Sequence, residues 1–140
     1  MSTLLDLLDV AAGPSDTFQG RGSGPDGKRA YGGQLVAQSL AAAARTVDTV
    51  KAPTTMHLQF LRGGDAGEPV DYTVARVFDG RTAASRRVDA VQDGRLLTTA
   101  TISFAAPLPG PEHGHREPMP DDPDTLARTG PAGPAPSMHL

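Results

Sequence analysis

Hydrophobic and polar positions along this chain change period twice. Over Ser2 to Val10, Leu4, Leu5 and Leu8 make one apolar face, Thr3 and Asp6 have capping-box spacing, and Gly13-Pro14 follows, so a short helix is predicted. Thr17 to Arg21 suits a short strand, and the Gly-Ser-Gly-Pro-Asp-Gly-Lys stretch at 22–28 is a loop by composition. The strongest helical pattern is Gln34 to Val47, where Val36, Leu40, Ala43 and Val47 recur at offsets 0, 4, 7 and 11. The opposite side, Ala37, Ala41, Ala42 and Ala44, is small or apolar as well. Alanine favours helix, and a helix apolar nearly all round is usually buried on several sides. Its simplest partner is a sheet that curls around it.

The period then falls to two. Met56, Leu58 and Phe60 alternate with His57 and Gln59, and Val70, Tyr72 and Val74 alternate with Asp71, Thr73 and Ala75 in a strand running to about Phe78. Asp79-Gly80 and Asp93-Gly94 are hairpin signals. Between them Thr82 to Val91 makes a third strand, with Thr82, Ala84, Arg86, Val88 and Ala90 on one face. Leu96 to Phe104 makes a fourth, with Leu96, Thr98, Ala100, Ile102 and Phe104 on one face. The predicted fold class is α+β: one long buried helix wrapped by a four-stranded antiparallel meander.

Composition changes this picture at the C-terminal end. Of the 13 prolines, nine lie between Pro107 and Pro136, and no aromatic residue follows Phe104. Residues 1–106 are therefore read as one domain and 107–140 as a Pro-rich linker or disordered tail. The 140 residues carry 13 basic and 16 acidic side chains, a net charge of −3 that does not favour nucleic acid. The lack of cysteine excludes disulfides, thiolate metal sites and cysteine nucleophiles. Met1 to Ala12 has no Lys or Arg, unlike a secretory leader, and no apolar run approaches a membrane span. A cytoplasmic, membrane-free protein is expected. Met138-His139-Leu140 lacks the small residue of a peroxisomal tripeptide.

At the residue level the chain resembles the N-terminal hotdog of the type II (TesB-like) acyl-CoA thioesterases. Tyr31-Gly32-Gly33-Gln34-Leu35-Val36-Ala37-Gln38-Ser39-Leu40 is similar to that family's helix-opening segment. Phe60-Leu61-Arg62-Gly63-Gly64-Asp65 resembles its Phe-Leu-Arg-Pro-Gly-Asp, with Gly63 in the Pro position. Asp79-Gly80-Arg81, Ser85-Arg86-Arg87-Val88, Ser103-Phe104, Thr17-Phe18-Gln19-Gly20, Glu112-His113 and Met119-Pro120 extend the likeness over about residues 3–120. The resemblance implies a single hotdog fold and hydrolysis of fatty acyl-CoA to fatty acid and coenzyme A. It also implies a second hotdog in tandem, which carries the family's catalytic Asp, Thr and Gln; none of these maps onto a position here.

The residues agree with that division. Thioester hydrolysis builds negative charge on the carbonyl oxygen, and backbone N–H groups at a helix start offer an oxyanion site that glycines let a substrate approach. Tyr31, Gly32, Gly33 and Gln34 are thus substrate-binding candidates, or else a glycine hinge into a crowded helix. The helix holds no Asp or Glu from Gln34 to Val47; Gln34, Gln38 and Ser39 are neutral and cannot accept a proton from water. His57 could be a base or a structural strand histidine. Arg86 or Arg87 could meet coenzyme A phosphates, or lie on a solvated face paired with Asp71 or Asp89. Asp65 reads as a turn residue, and His113 and His115 with Glu112 and Glu117 make no metal set.

The expected function is that of an acyl-CoA thioesterase half, inactive alone, with the thioester as substrate and no separate cofactor. Its expected partners are acyl-CoA and a second hotdog, in another domain, a homodimer or a larger oligomer. The alternative is a non-catalytic acyl-CoA-binding or assembly module. An enoyl-CoA hydratase lacks support, because no Asp/His hydratase pair is present.

Overall fold

The computed structural model describes residues 3–125. Its first unit runs through Leu108, and a second begins at Pro109. The first unit contains helices α1 (Leu4–Leu8) and α2 (Gly32–Ala44) and strands β1 (Ala11–Ala12), β2 (Thr17–Gly20), β3 (Ala52–Phe60), β4 (Val70–Asp79), β5 (Ala83–Gln92) and β6 (Arg95–Ala105). All strands join one antiparallel sheet in the order β1-β2-β4-β5-β6-β3. In the second unit the one regular element described is a 3-10 turn, Pro123–Thr125. The predicted residues Ser2 and 126–140, including Met138-His139-Leu140, lie outside the described residues. No helix among the described residues is long and apolar enough to cross a membrane.

Local chemistry accounts for the element ends. Thr3 and Asp6 form the capping box: the Asp6 amide donates to Thr3 Oγ1 at 3.2 Å, and the Thr3 amide donates to Asp6 Oδ2 at 2.8 Å. Asp93 and Gly94 both take positive φ, 49° and 69°, so the β5–β6 hairpin closes on a two-residue turn. The β4–β5 connection is one residue longer. Asp79 ends β4, and the Gly80 amide donates to the Ala83 carbonyl at 2.8 Å.

The sheet departs from the expected four-stranded meander. β4, β5 and β6 follow that path, but β3 pairs with β6, and β2 lies beside β4. Alternation encodes which face of a strand is apolar and leaves its neighbour open. Residues 61–69 carry the chain from the edge strand β3 past β6 and β5 to β4.

A second departure is a bulge. Ala90 pairs with Thr98 while Val91 pairs with Leu96, so Leu97 is an extra residue in β6. Leu97 is buried and Leu96 is exposed, the reverse of the predicted face, whereas Thr98, Ala100, Ile102 and Phe104 face inward as expected.

α2 lies on the inner face of the sheet, mainly over β5. Its deepest residues are Leu35, Gln38, Ser39, Ala42 and Ala43. The predicted stripe of Val36, Leu40 and Val47 sits one position round, half-buried. The small side chains of Ser39, Ala42 and Ala43 and the hydrogen-bonded Gln38 lie with Leu35 on the tight side against the sheet, and Val36 and Leu40 flank it. The core is completed by Val10, Phe18, Val70, Tyr72, Val74, Val88, Ile102 and Phe104.

Candidate functional site

α2 begins at the N-cap residue Tyr31, whose side chain makes no capping bond, and its first turn contains no acid. The amides of Gly32 and Gly33 therefore head a 13-residue helix without a side-chain acceptor from its cap residue. A methyl group on Gly32 would stand 3.1 Å from the Phe60 ring, and one on Gly33 would overlap the ring of Tyr31. The Phe60 and Tyr31 rings thus take the space that side chains at these two positions would fill. Tyr31 itself is 76% exposed.

Gln34 is buried and committed to structure. Its Nε2 donates to the Arg21 carbonyl at 2.8 Å, and its Oε1 accepts from the Ser23 hydroxyl. Gln38 is committed likewise: Nε2 donates to the carbonyls of Leu7 at 2.8 Å and Arg21 at 3.2 Å, and Oε1 accepts from the Tyr72 hydroxyl at 2.7 Å. Both amides hold the 21–23 loop and α1 onto the helix start.

Two openings flank that start. On one side a cleft of about 410 Å³ is lined by Arg29, Gly32, Leu35, Phe60, Leu61 and Arg62. On the other, a groove of about 260 Å³ runs between α1 and α2, lined by Leu4, Leu7, Leu8, Tyr31, Gly33 and Ala37, with Gln34 and Gln38 also on its wall. The exposed guanidiniums of Arg29 and Arg62 escaped sequence reasoning. Their signal was present as basic residues beside two glycine-rich turns, Gly27-Lys28-Arg29 and Arg62-Gly63-Gly64. Asp65 acts as a turn residue: its carboxylate accepts from the amides of Gly27 and Gly67, and the backbones of Arg29 and Asp65 form an isolated antiparallel β-bridge.

His57 is exposed on β3 and points opposite to Met56 and Leu58, which pack on the core. It does not line the cleft.

Arg86 corrects the solvated-face reading. It is wholly buried on the inner face of β5, and its partner is Asp79, not Asp71 or Asp89. Nε donates to Thr46 Oγ1 at 2.7 Å, and Nη2 to the Thr46 carbonyl at 3.0 Å and to Asp79 Oδ1 at 2.6 Å. Nη1 donates to the carbonyls of Phe78 at 3.0 Å and Ser85 at 2.9 Å. These bonds use all five donors of the guanidinium, leaving none for a phosphate. The cause is the pleat: position 86 shares the inward face of Ala84 and Val88, just beyond the end of α2, where a cation favours the last carbonyls.

Hydrogen bonding to Arg86 holds the Asp79 carboxyl below its ordinary value of 3.8. A carboxyl lowered in the folded state stabilises above its unfolded value, and that stability goes as pH falls through the folded one. Asp16, bonded to Arg76, and Asp6, bonded to the Thr3 amide, act with the same sign. Thermal melts should therefore lose midpoint temperature as pH falls below about 4. In Asp79→Asn the neutral midpoint should start lower and the acid loss should be smaller. An unchanged acid loss would show that Asp79 is not linked to stability.

A central helix on one face of a six-stranded antiparallel sheet, opened by a glycine pair beside a cleft, is the hotdog domain. A hotdog protein of Alicyclobacillus acidocaldarius matches with a TM-score of 0.75 over 96% of this chain and 52% of its own, at 20% identity, a likeness of fold. Residues 21–105 match the acyl-CoA thioesterase N-terminal domain family, and the chain belongs to that family.

The chain is 38% identical over 127 residues to human acyl-coenzyme A thioesterase 8, covering 90% of this chain and 39% of that protein. It is 33% identical to acyl-CoA thioesterase II TesB2 of Mycobacterium marinum, with a TM-score of 0.73 over 88% of this chain and 45% of that one. It thus spans about two-fifths of the length of the human relative.

Proposed function

We propose that this domain is the front half of an acyl-CoA thioesterase, which binds fatty acyl-CoA at the start of α2 while a second hotdog domain supplies the hydrolytic residues. One observation carries the reading. α2 opens on two glycine amides that suit a thioester oxygen, yet Gly32–Ala44 contains no Asp or Glu. Nor can its amides stand in for a base: Gln34 and Gln38 are neutral and already bonded. On this reading Tyr31, Gly32 and Gly33, which open the helix beside the cleft and the groove, meet the substrate. Gln34 serves the site by anchoring the neighbouring loop.

The test is turnover. The 140-residue chain, freed of host thioesterases, should release no coenzyme A thiol from medium-chain acyl-CoA. Hydrolysis that persists through purification and tracks the chain would show that the catalyst lies within it, and would sink the division of labour.

A non-catalytic assembly role is the second reading, supported by β3. It is an edge strand, paired with β6 on one side, and it ends on the exposed Phe60, with the exposed Leu61 next in the chain. An open edge with apolar residues beside it favours a pairing partner. On this reading light scattering should give a dimer or larger species, and a stable monomer at working concentration would count against it.

A further inference from the structure

We infer that acyl-CoA lies across the start of α2 in one direction, with its phosphates beside Arg29 and Arg62 and its acyl chain in the groove between α1 and α2. The inference rests on the acyl-CoA-binding reading above and specifies the substrate's orientation.

The two openings meet the helix start at successive residues, Gly32 lining the cleft and Gly33 the groove. They differ in chemistry. The cleft carries two exposed guanidiniums, and neither is in an ion pair among the described residues. The nearby Asp65 carboxylate is held by the amides of Gly27 and Gly67. Arginine is the side chain best matched to phosphate, through its planar fork of donors.

The groove is apolar. Leu4, Leu7 and Leu8 form one wall and Ala37 the other, and Leu4 is 72% exposed. Among its polar residues, Gln34 and Gln38 have both ends of their amides engaged and the Ser23 hydroxyl donates to Gln34, which leaves only the exposed Tyr31 hydroxyl open to a polar ligand. At about 260 Å³ it falls below the roughly 300–1,000 Å³ of sites that enclose a whole small ligand, and so suits one segment of a longer molecule. An acyl-CoA is polyanionic at one end and apolar at the other, with the thioester between. Charge complementarity sets each end in its own opening and leaves the carbonyl over the glycine amides.

The experiment is calorimetric titration of the full chain with coenzyme A and with non-hydrolysable thioether analogues bearing two-, six- and ten-carbon acyl groups. Binding should tighten about threefold to fourfold per added methylene until the groove is full. Ala37→Trp, on the half-exposed groove wall, should abolish that dependence and leave coenzyme A affinity unchanged. Arg62→Ala should weaken coenzyme A and every analogue alike, by about tenfold, with the chain-length increments intact. Leu8→Ala enlarges the groove and should move the plateau to longer chains, a gain that a misfolded variant could not produce.

A chain-length dependence that survives Ala37→Trp, or that Arg62→Ala removes, would overturn the orientation. Coenzyme A binding without any chain-length dependence would remove the groove and leave the binding reading standing. Failure of every ligand to bind would remove both.

Discussion

Replacing Arg86 with alanine should destabilise the domain by about 4 kcal/mol, the sum of a cavity where the side chain lay and of buried acceptors left without donors. For a domain of this size that corresponds to roughly a 20 °C fall in melting temperature. Arg86 is fully buried between β4, β5 and the end of α2. Removing it strips the donor from the Thr46 carbonyl just past the helix, from Thr46 Oγ1 and from the Phe78 carbonyl. Arg86→Lys should recover less than half of the loss. An ammonium is a point donor and cannot reach Thr46, Phe78 and Asp79 from one plane, as the guanidinium does. Chemical denaturation with matched m-values checks the magnitude. A loss below about 1 kcal/mol, the range of exposed pairs, would mean that Arg86 behaves as a solvated strand residue.

The second large effect is expected at Gly20. A Cβ there would overlap the Gln38 side-chain amide. Such a clash is cheap when the neighbour can swing aside, but Gln38 is fully buried and pinned by Leu7, Arg21 and Tyr72. Burial also pushes the Tyr72 phenol up, so it stays protonated and keeps donating to Gln38.

Gly20→Ala should therefore cost about 3 kcal/mol, from overpacking plus at least one lost buried hydrogen bond. Gln38→Ala should cost about 2–3 kcal/mol, because the Tyr72 hydroxyl loses its acceptor. The double variant should be more stable than the sum of the two by about 1–2 kcal/mol, since the new methyl group then occupies space the amide has left. Strict additivity would show that the two sites do not press on each other.

Much of the fold was legible because it rests on local rules. The capping box at Thr3 and Asp6, the two-residue turn at Asp93-Gly94 and the inward alternation of Val70, Tyr72 and Val74 each follow from a few neighbouring residues. Leu97 was not legible. Its bulge depends on how β6 must bend against β5, and one extra residue inverted the expected face at Leu96. Nor was the pairing of β3 with β6, which depends on a crossing of the chain between positions 61 and 69.

The candidate site divides the same way. Its Gly-Gly-Gln opening and the missing carboxylate could be read directly from the letters, because a helix start and the absence of a base need no distant partner. Arg86 stood on the face of Ala84 and Val88 in the pattern itself, yet reading an arginine as solvated set that signal aside. Its partners Thr46 and Asp79 come from separate elements, so its pairing appears only once these are packed together. Arg29 and Arg62 are far apart in sequence and share a cleft because the 27–30 and 61–65 segments fold against each other.

The sequence by itself determined a glycine-headed, alanine-rich helix, the long antiparallel strands beside it and a helix without a general base. These depend on residue type and short-range periodicity. Only the tertiary structure decided that Leu35, Gln38, Ser39, Ala42 and Ala43 form the helix's deepest side, that Gln34 and Gln38 serve as anchors, and that a cationic cleft and an apolar groove lie on either side of the helix start. Such features depend on which residues meet across the fold, and contact between distant segments is set by packing.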